Sequence, residues 1–208
     1  SRENTLADLS RTSAQCRDER GEEACMICME GVPEPNNDIV YCDGCGVCVH
    51  QSCYGGDILQ DVPDDEWFCQ ACAANEKDRR CVLCPVQHGP LKRTDDGRWA
   101  HVGCMHYIPE TCAGDVCLQE PVCGIHEVDP KRWRVPCCVC KSTAGVGMQC
   151  DEPGCENAFH IGCAIFADPK AMRGRFFLHT AEQGNKIVHL RYCFVHGGKH
   201  RHSVASAS

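Results

Sequence analysis

The chain has 208 residues, 29 acidic against 21 basic side chains for a formal net charge of −8, and 22 cysteines, while aromatic residues make up only 6%. A composition so poor in aromatics, and punctuated by 19 Gly and 11 Pro, excludes a fold held by apolar packing alone and requires a metal or disulfide framework. Neither a hydrophobic signal segment nor a transmembrane run is present, which argues against the secreted disulfide class, and the opening Ser points to a piece of a longer protein.

Residues 1–24 are polar and read as a flexible lead-in, in which Cys16 stands alone. The first metal block spans 25–72 and offers four pairs in a row: Cys25 with Cys28, Cys42 with Cys45, His50 with Cys53, and Cys69 with Cys72. Three thiolates and an imidazole, or four thiolates, suit tetrahedral zinc, and His two residues before Cys has no use in a disulfide scaffold. Four pairs can fill two sites in sequence or by interleaving. Interleaving puts pairs one and three on one zinc and pairs two and four on the other. It ties distant segments together, so it is preferred for a module with so little core. Cys48, inside the Cys45–His50 loop, is expected to be a buried apolar side chain.

Residues 73–136 form a linker and a zinc knuckle. A charged stretch at 73–80 leads to a single site of Cys81, Cys84, His101 and Cys104, whose intervening residues read as two short strands around an Asp96-Gly97 turn. Cys112, Cys117 and Cys123 lack the Cys-x-x-Cys spacing, and no further zinc is expected there. The third block, 137–196, pairs Cys137, Cys140, His160 and Cys163 at one metal and Cys150, Cys155, Cys193 and His196 at another; Cys137, unlike Cys138, keeps the two-residue spacer to Cys140. Between Cys163 and Cys193, Phe176–Thr180 and Lys186–Leu190 point to a hairpin around Gln183-Gly184-Asn185. The stretch 197–208 is basic, then Ser/Ala-rich, and is expected to be disordered. The total is five zinc ions per chain, each with four protein ligands and no open position, so catalysis at zinc is not expected.

Charge is uneven along this framework. Residues 1–75 carry 15 acidic and 4 basic side chains, whereas residues 131–208 carry 5 and 11, which points to two differently charged partners.

The order of these residues resembles a known family. The first block, with Trp67 two positions before Cys69, resembles a PHD finger, and the third resembles an extended PHD finger whose last ligand is His196. Cys81-Val82-Leu83-Cys84-Pro85 and Asp96-Gly97-Arg98-Trp99-Ala100-His101 resemble the knuckle that links them. Residues 25–196 together resemble the PHD-zinc knuckle-PHD cassette of the bromodomain-PHD finger, Jade and leukaemia-fusion partner families of chromatin scaffold proteins. The resemblance implies a small zinc-stabilised α+β fold: two cross-braced PHD-type fingers joined by a zinc knuckle, with short two-stranded sheets and little helix.

It also implies a nuclear, monomeric, non-enzymatic chromatin reader working with subunits of a histone-modifying complex. In such families the first finger takes the N-terminal tail of histone H3 as an added strand. Here the edge strand is expected at Asp38-Ile39-Val40-Tyr41. Asp43 matches the position that pairs with the tail's arginine at its second residue, and Asp38 and Glu23 match those that receive the unmodified lysine at its fourth. Backbone carbonyls of Pro63-Asp64-Asp65-Glu66 would hold the free amino terminus, although Asp65 stands where the family often has Gly. Turn chemistry is the structural alternative for Asp38 and Asp43.

The physical reading runs the same way. An acidic finger suits a basic peptide, and carboxylates bind an ammonium best while it keeps its donors. A trimethyl-lysine reader needs an aromatic cage. Tyr41 offers one wall, but Asn36 and Asn37 stand where a second is expected, so unmodified lysine is preferred.

In the third block and the segment just before it, Lys131, Arg132, Arg134, Lys141, Arg173, Arg175, Lys186 and Arg191 are candidates for sequence-independent contact with nucleosomal DNA, with a solvated basic face as the alternative. Trp67, Trp99 and Trp133 are read as packing residues. The rival readings are a RING-like ubiquitin ligase module and a docking scaffold without histone binding.

Overall fold

The computed structural model describes residues 23–31, 35–76, 79–166, 176–183 and 186–200. Cys16, Arg173, Arg175, the Gly184-Asn185 turn and the tail from 201 lie outside the described residues, as does the Lys186 side chain.

In chain order, β1 (Ile39–Tyr41), β2 (Cys48–His50), α1 (Gln51–Tyr54) and α2 (Gln70–Ala73) build the first finger. β3 (Leu91–Arg93), β4 (Trp99–His101), α3 (Val102–Tyr107), β5 (Cys112–Asp115) and β6 (Glu120–Cys123) build the middle. β7 (Met148–Gln149), β8 (Ala158–Phe159), α4 (Ile161–Phe166), β9 (Phe177–Gln183) and β10 (Lys186–Tyr192) complete the chain. The sheets are antiparallel pairs. No helix among the described residues is long and apolar enough to cross a membrane.

One local unit recurs three times. A Cys-x-x-Cys turn aims the N–H of its third residue at the first sulfur: Ile27 at Cys25, Leu83 at Cys81 and Val139 at Cys137, each at 3.4 Å. A short ladder then delivers a histidine whose N–H donates to that same sulfur, from His50 and His101 at 3.3 Å and from His160 at 3.4 Å. A helix starts at the next residue each time, placing Cys53, Cys104 and Cys163 one turn on. The predicted Asp96-Gly97 turn joins β3 to β4, with Gly97 at φ +82°. The predicted hairpin is β9–β10.

Three features depart from the sequence reading. β1 starts at Ile39 rather than Asp38, because Gln51 takes both backbone groups of Asp38: its side-chain oxygen accepts the Asp38 N–H at 2.9 Å, and its own N–H donates to the Asp38 carbonyl at 3.1 Å. Residues 105–136 contain the β5–β6 hairpin, which was not foreseen. Residues 197–200 are a helical turn rather than disordered, since Lys199 and His200 both pair with Glu152, at 3.0 and 2.5 Å.

A single hydrophobic core runs from Cys25 to Cys193, taking in Trp67 and Trp99, with Trp133 packed against it. Both fingers close on the knuckle. From the first, Tyr54 donates to the Leu91 carbonyl at 3.2 Å and the Gln70 side chain accepts the Arg93 N–H at 2.8 Å while donating to Glu120. The buried Lys92 donates to the Leu118 carbonyl at 2.8 Å and lies over the Tyr54 ring. From the third block, Val146 donates to the Leu83 carbonyl at 2.9 Å, and Gly162 sits so close that a Cβ there would stand 2.4 Å from the Cys84 sulfur.

Candidate metal centres and peptide-binding edge

Five sets of four side chains bring their donor atoms within 4.8 Å of one another. They are Cys25, Cys28, His50 and Cys53; Cys42, Cys45, Cys69 and Cys72; Cys81, Cys84, His101 and Cys104; Cys137, Cys140, His160 and Cys163; and Cys150, Cys155, Cys193 and His196. Pairing is therefore interleaved in both fingers, and Cys137 rather than Cys138 is the donor. Sulfur-to-Nδ1 distances run from 3.3 Å (Cys28 to His50) to 3.9 Å (Cys104 to His101), and the Cys45–Cys69 and Cys155–Cys193 sulfurs are 3.7 and 3.9 Å apart. A tetrahedron with zinc bond lengths has S–N edges of about 3.5 Å and S–S edges of about 3.8 Å. The sets fit zinc, which would be held by four protein donors each and would act as a structural cross-link.

The thiols of each set also share protons unevenly. Hydrogen bonds from neighbouring thiols hold Cys25 (from Cys28), Cys42 (from Cys45) and Cys137 (from Cys140) far below the usual thiol range. Their partners Cys53, Cys69 and Cys163 are pushed far above it by bonds to those same sulfurs. A bound zinc ion would neutralise such a set and release the remaining thiol protons. Outside the sets, Cys48 is buried as expected, donates to the Ala24 carbonyl at 3.1 Å, and is pushed up to about 11 by burial.

The candidate peptide edge is β1, which pairs with β2 alone among the described residues. Asp38, Tyr41, Asp43 and Asp65 are exposed, Ile39 and Pro63 half-buried, and Val40 points into the core. Asp43 does the turn work anticipated as its alternative: one carboxylate oxygen accepts the Trp67 N–H at 2.8 Å, while the Asp43 N–H donates to the Trp67 carbonyl at 2.9 Å. It ties the strand end to the loop that carries Pro63 and Asp65. Trp67 itself is buried, edge-on to Tyr54 at 5.3 Å.

Glu23 does not stand alone. The Tyr41 hydroxyl donates to it at 2.5 Å, and burial together with that bond pushes the phenol up to about 12. Asn37 accepts the Ser52 N–H at 2.9 Å, which removes it as a cage wall. Sequence reasoning missed Gln51, Gln70 and Lys92, because their roles rest on contacts distant in the chain.

The basic candidates divide. Lys131, Arg134 and Lys141 are exposed. Arg132 is half-buried in an ion pair with Glu110, and Arg191 is held by Asp151 and by the Tyr107 carbonyl at 3.2 Å. These two are internal ties rather than open phosphate contacts. His189, unassigned in the sequence, lies 3.1 Å from the Thr180 hydroxyl and edge-on to Tyr107.

Comparison with known proteins follows the same division. The profile of a family described as a PHD-finger matches residues 36–73, and that of a PHD-zinc-finger like domain matches residues 79–196, joining knuckle and third block in one unit. Mouse Bromodomain and PHD finger-containing protein 3 is 38% identical over 194 residues, covering 90% of this chain and 16% of the relative. Human E3 ubiquitin-protein ligase Jade-2 is 42% identical over 142 residues, covering 68% of this chain and 18% of the relative. The chain thus spans less than a fifth of these curated relatives. A crystal structure of zebrafish PHF14-PZP superposes with a TM-score of 0.65 at 35% identity, covering 84% of this chain and 88% of that one.

Proposed function

The chain belongs to the PHD-zinc knuckle-PHD family, and from that premise we propose that it is a chromatin reader whose first finger takes the N-terminal tail of histone H3, unmodified at its fourth residue, as a third strand on β1. The observation that carries this reading is a strand edge left unpaired by the described residues and bordered by exposed carboxylates. Asp43 keeps one oxygen clear of its bond to Trp67 for a guanidinium. Asp38 and Glu23 are exposed carboxylates beside the strand, available to an ammonium, and Tyr41 alone cannot enclose a trimethylammonium. The chain acts within a larger nuclear protein, alongside subunits of a histone-modifying complex.

Calorimetry with H3-tail peptides tests this. A free amino terminus and unmodified lysine should bind, and trimethylation of that lysine should weaken binding by roughly tenfold, about 1.4 kcal/mol. Equal binding of both forms would sink the lysine assignment; no binding at all would favour a docking scaffold.

DNA contact by the third block and the segment before it rests on Lys131, Arg134 and Lys141. If those three side chains meet phosphates, the log-log salt slope of duplex binding should be near −3 and fall by about one for each lysine or arginine removed. A ligase reading is favoured by the name of one relative alone. Ubiquitin discharge from a panel of conjugating enzymes, dependent on this chain, would replace the reader as primary function.

A further inference from the structure

Three cysteines of the β5–β6 hairpin belong to none of the five metal sets. Cys112 and Cys117 are exposed and Cys123 is half-buried. Cys112 and Cys123 stand directly opposite each other in the antiparallel register, so their side chains leave the same face of the hairpin. Val122, next along, turns its carbonyl outward to the Asp95 N–H at 3.0 Å. Cys112 and Cys123 are therefore the hydrogen-bonded kind of cross-strand pair, with Cα atoms about 5.5 Å apart, the middle of the span that a disulfide bridges. The Cys123 sulfur lies 3.4 Å from the Pro121 carbonyl and the same distance from where a Cβ on Gly114 would be. The bare Gly114 leaves it room to turn about χ1 toward the opposed Cys112.

We propose that Cys112 and Cys123 are a thiol-disulfide exchange site, open to a glutathione-type disulfide while the zinc-bound thiolates stay protected. The exposed Cys112, as thiolate, attacks one sulfur of the oxidised tripeptide and expels the first reduced tripeptide, leaving a mixed disulfide. Cys123 then attacks the Cys112 sulfur and expels the second. Two protein thiols are oxidised to one disulfide, one glutathione disulfide is reduced to two thiols, and the protons pass to the leaving thiolates. Burial raises the Cys123 thiol, with Asp95 and Cys112 adding to the effect, which fits it to the second, resolving step. The product would staple the hairpin whose tip bonds the first finger, where Gly56 donates to the Cys117 carbonyl at 3.0 Å.

The test treats the zinc-loaded chain with oxidised glutathione, then alkylates, digests and sequences by mass, with zinc content measured in parallel. The expected result is a linked Cys112–Cys123 peptide at unchanged zinc content, retained in Cys117→Ser and lost in Cys112→Ser, which leaves at most a glutathione adduct. A linkage through Cys117, thiol loss that tracks zinc release, or full alkylation of both residues at every oxidant level would overturn the proposal. Cys112→Ser changes an exposed side chain, and its zinc content reports whether it remains folded.

Discussion

Desolvation raises all four phenols, joined at the exposed Tyr41 by its bond to Glu23: Tyr41 and Tyr107 are each raised to about 12, and Tyr54 and Tyr192 are raised as well. A group whose folded pKa exceeds its unfolded one contributes stability that is whole below the unfolded value, about 10 for tyrosine, and is lost as pH rises through the folded value. By tyrosinate absorbance, Tyr41, Tyr54 and Tyr107 should therefore stay almost wholly protonated at pH 10, where tyrosines of the unfolded chain are half ionised, and the folded chain should lose stability between there and pH 12. Half-ionisation of the native protein at pH 10 would refute the raised values. The acidic residues of β1 separate in the same residue-by-residue way. Asp38→Asn should cost peptide affinity several-fold and leave the melting temperature unmoved, because only the backbone of Asp38 is bonded among the described residues. Asp43→Ala should lower both, with a stability loss of about 1 kcal/mol for the broken bond to Trp67.

Among the elements, the turn after α1 is a tight joint. Gly55 has φ +67°, and a Cβ on it would stand 2.3 Å from the Cys117 carbonyl oxygen, a backbone atom of the β5–β6 tip. Gly55→Ala should destabilise the chain by about 1–3 kcal/mol, combining backbone strain with displacement of the hairpin. Gly97→Ala, at φ +82° but in open space, should cost no more than about 1 kcal/mol. Chemical denaturation of the two variants side by side checks the ordering. The same two places mark what the sequence discloses. The β3–β4 turn was legible because Asp96-Gly97 advertises a positive φ. The β5–β6 hairpin was not: Gly114 and Pro121 interrupt any alternation, and its support comes from Gly56, Lys92 and Gln70, up to 61 residues away in the chain. Metal ligands were readable for the opposite reason, since Cys-x-x-Cys spacing is itself the geometry of the turn.

At the scale of the whole molecule, the knuckle is the piece on which both fingers rest, through Tyr54 and Gln70 on one side and Val146 and Gly162 on the other. Calorimetric unfolding of the native chain should be one cooperative transition. Cys84→Ser should remove one zinc of five and split that transition in two, because the fingers lose their common support. A single transition in the variant would mean the fingers hold each other without the knuckle. The sequence disclosed three metal blocks but not their union, since a glycine that admits a neighbouring sulfur has no signature until the neighbour is in place. The metal sets differ in one further respect, the length of chain each must gather. The knuckle set closes between Cys81 and Cys104, whereas the outer set of the third block reaches from Cys150 to His196, 46 residues on, twice the loop. Doubling a loop costs about 0.6 kcal/mol in closure entropy, near threefold in occupancy for otherwise equal donors. During synthesis and under limiting metal the knuckle should fill early and the Cys150–His196 set late, so the order of loading is written in the loop lengths.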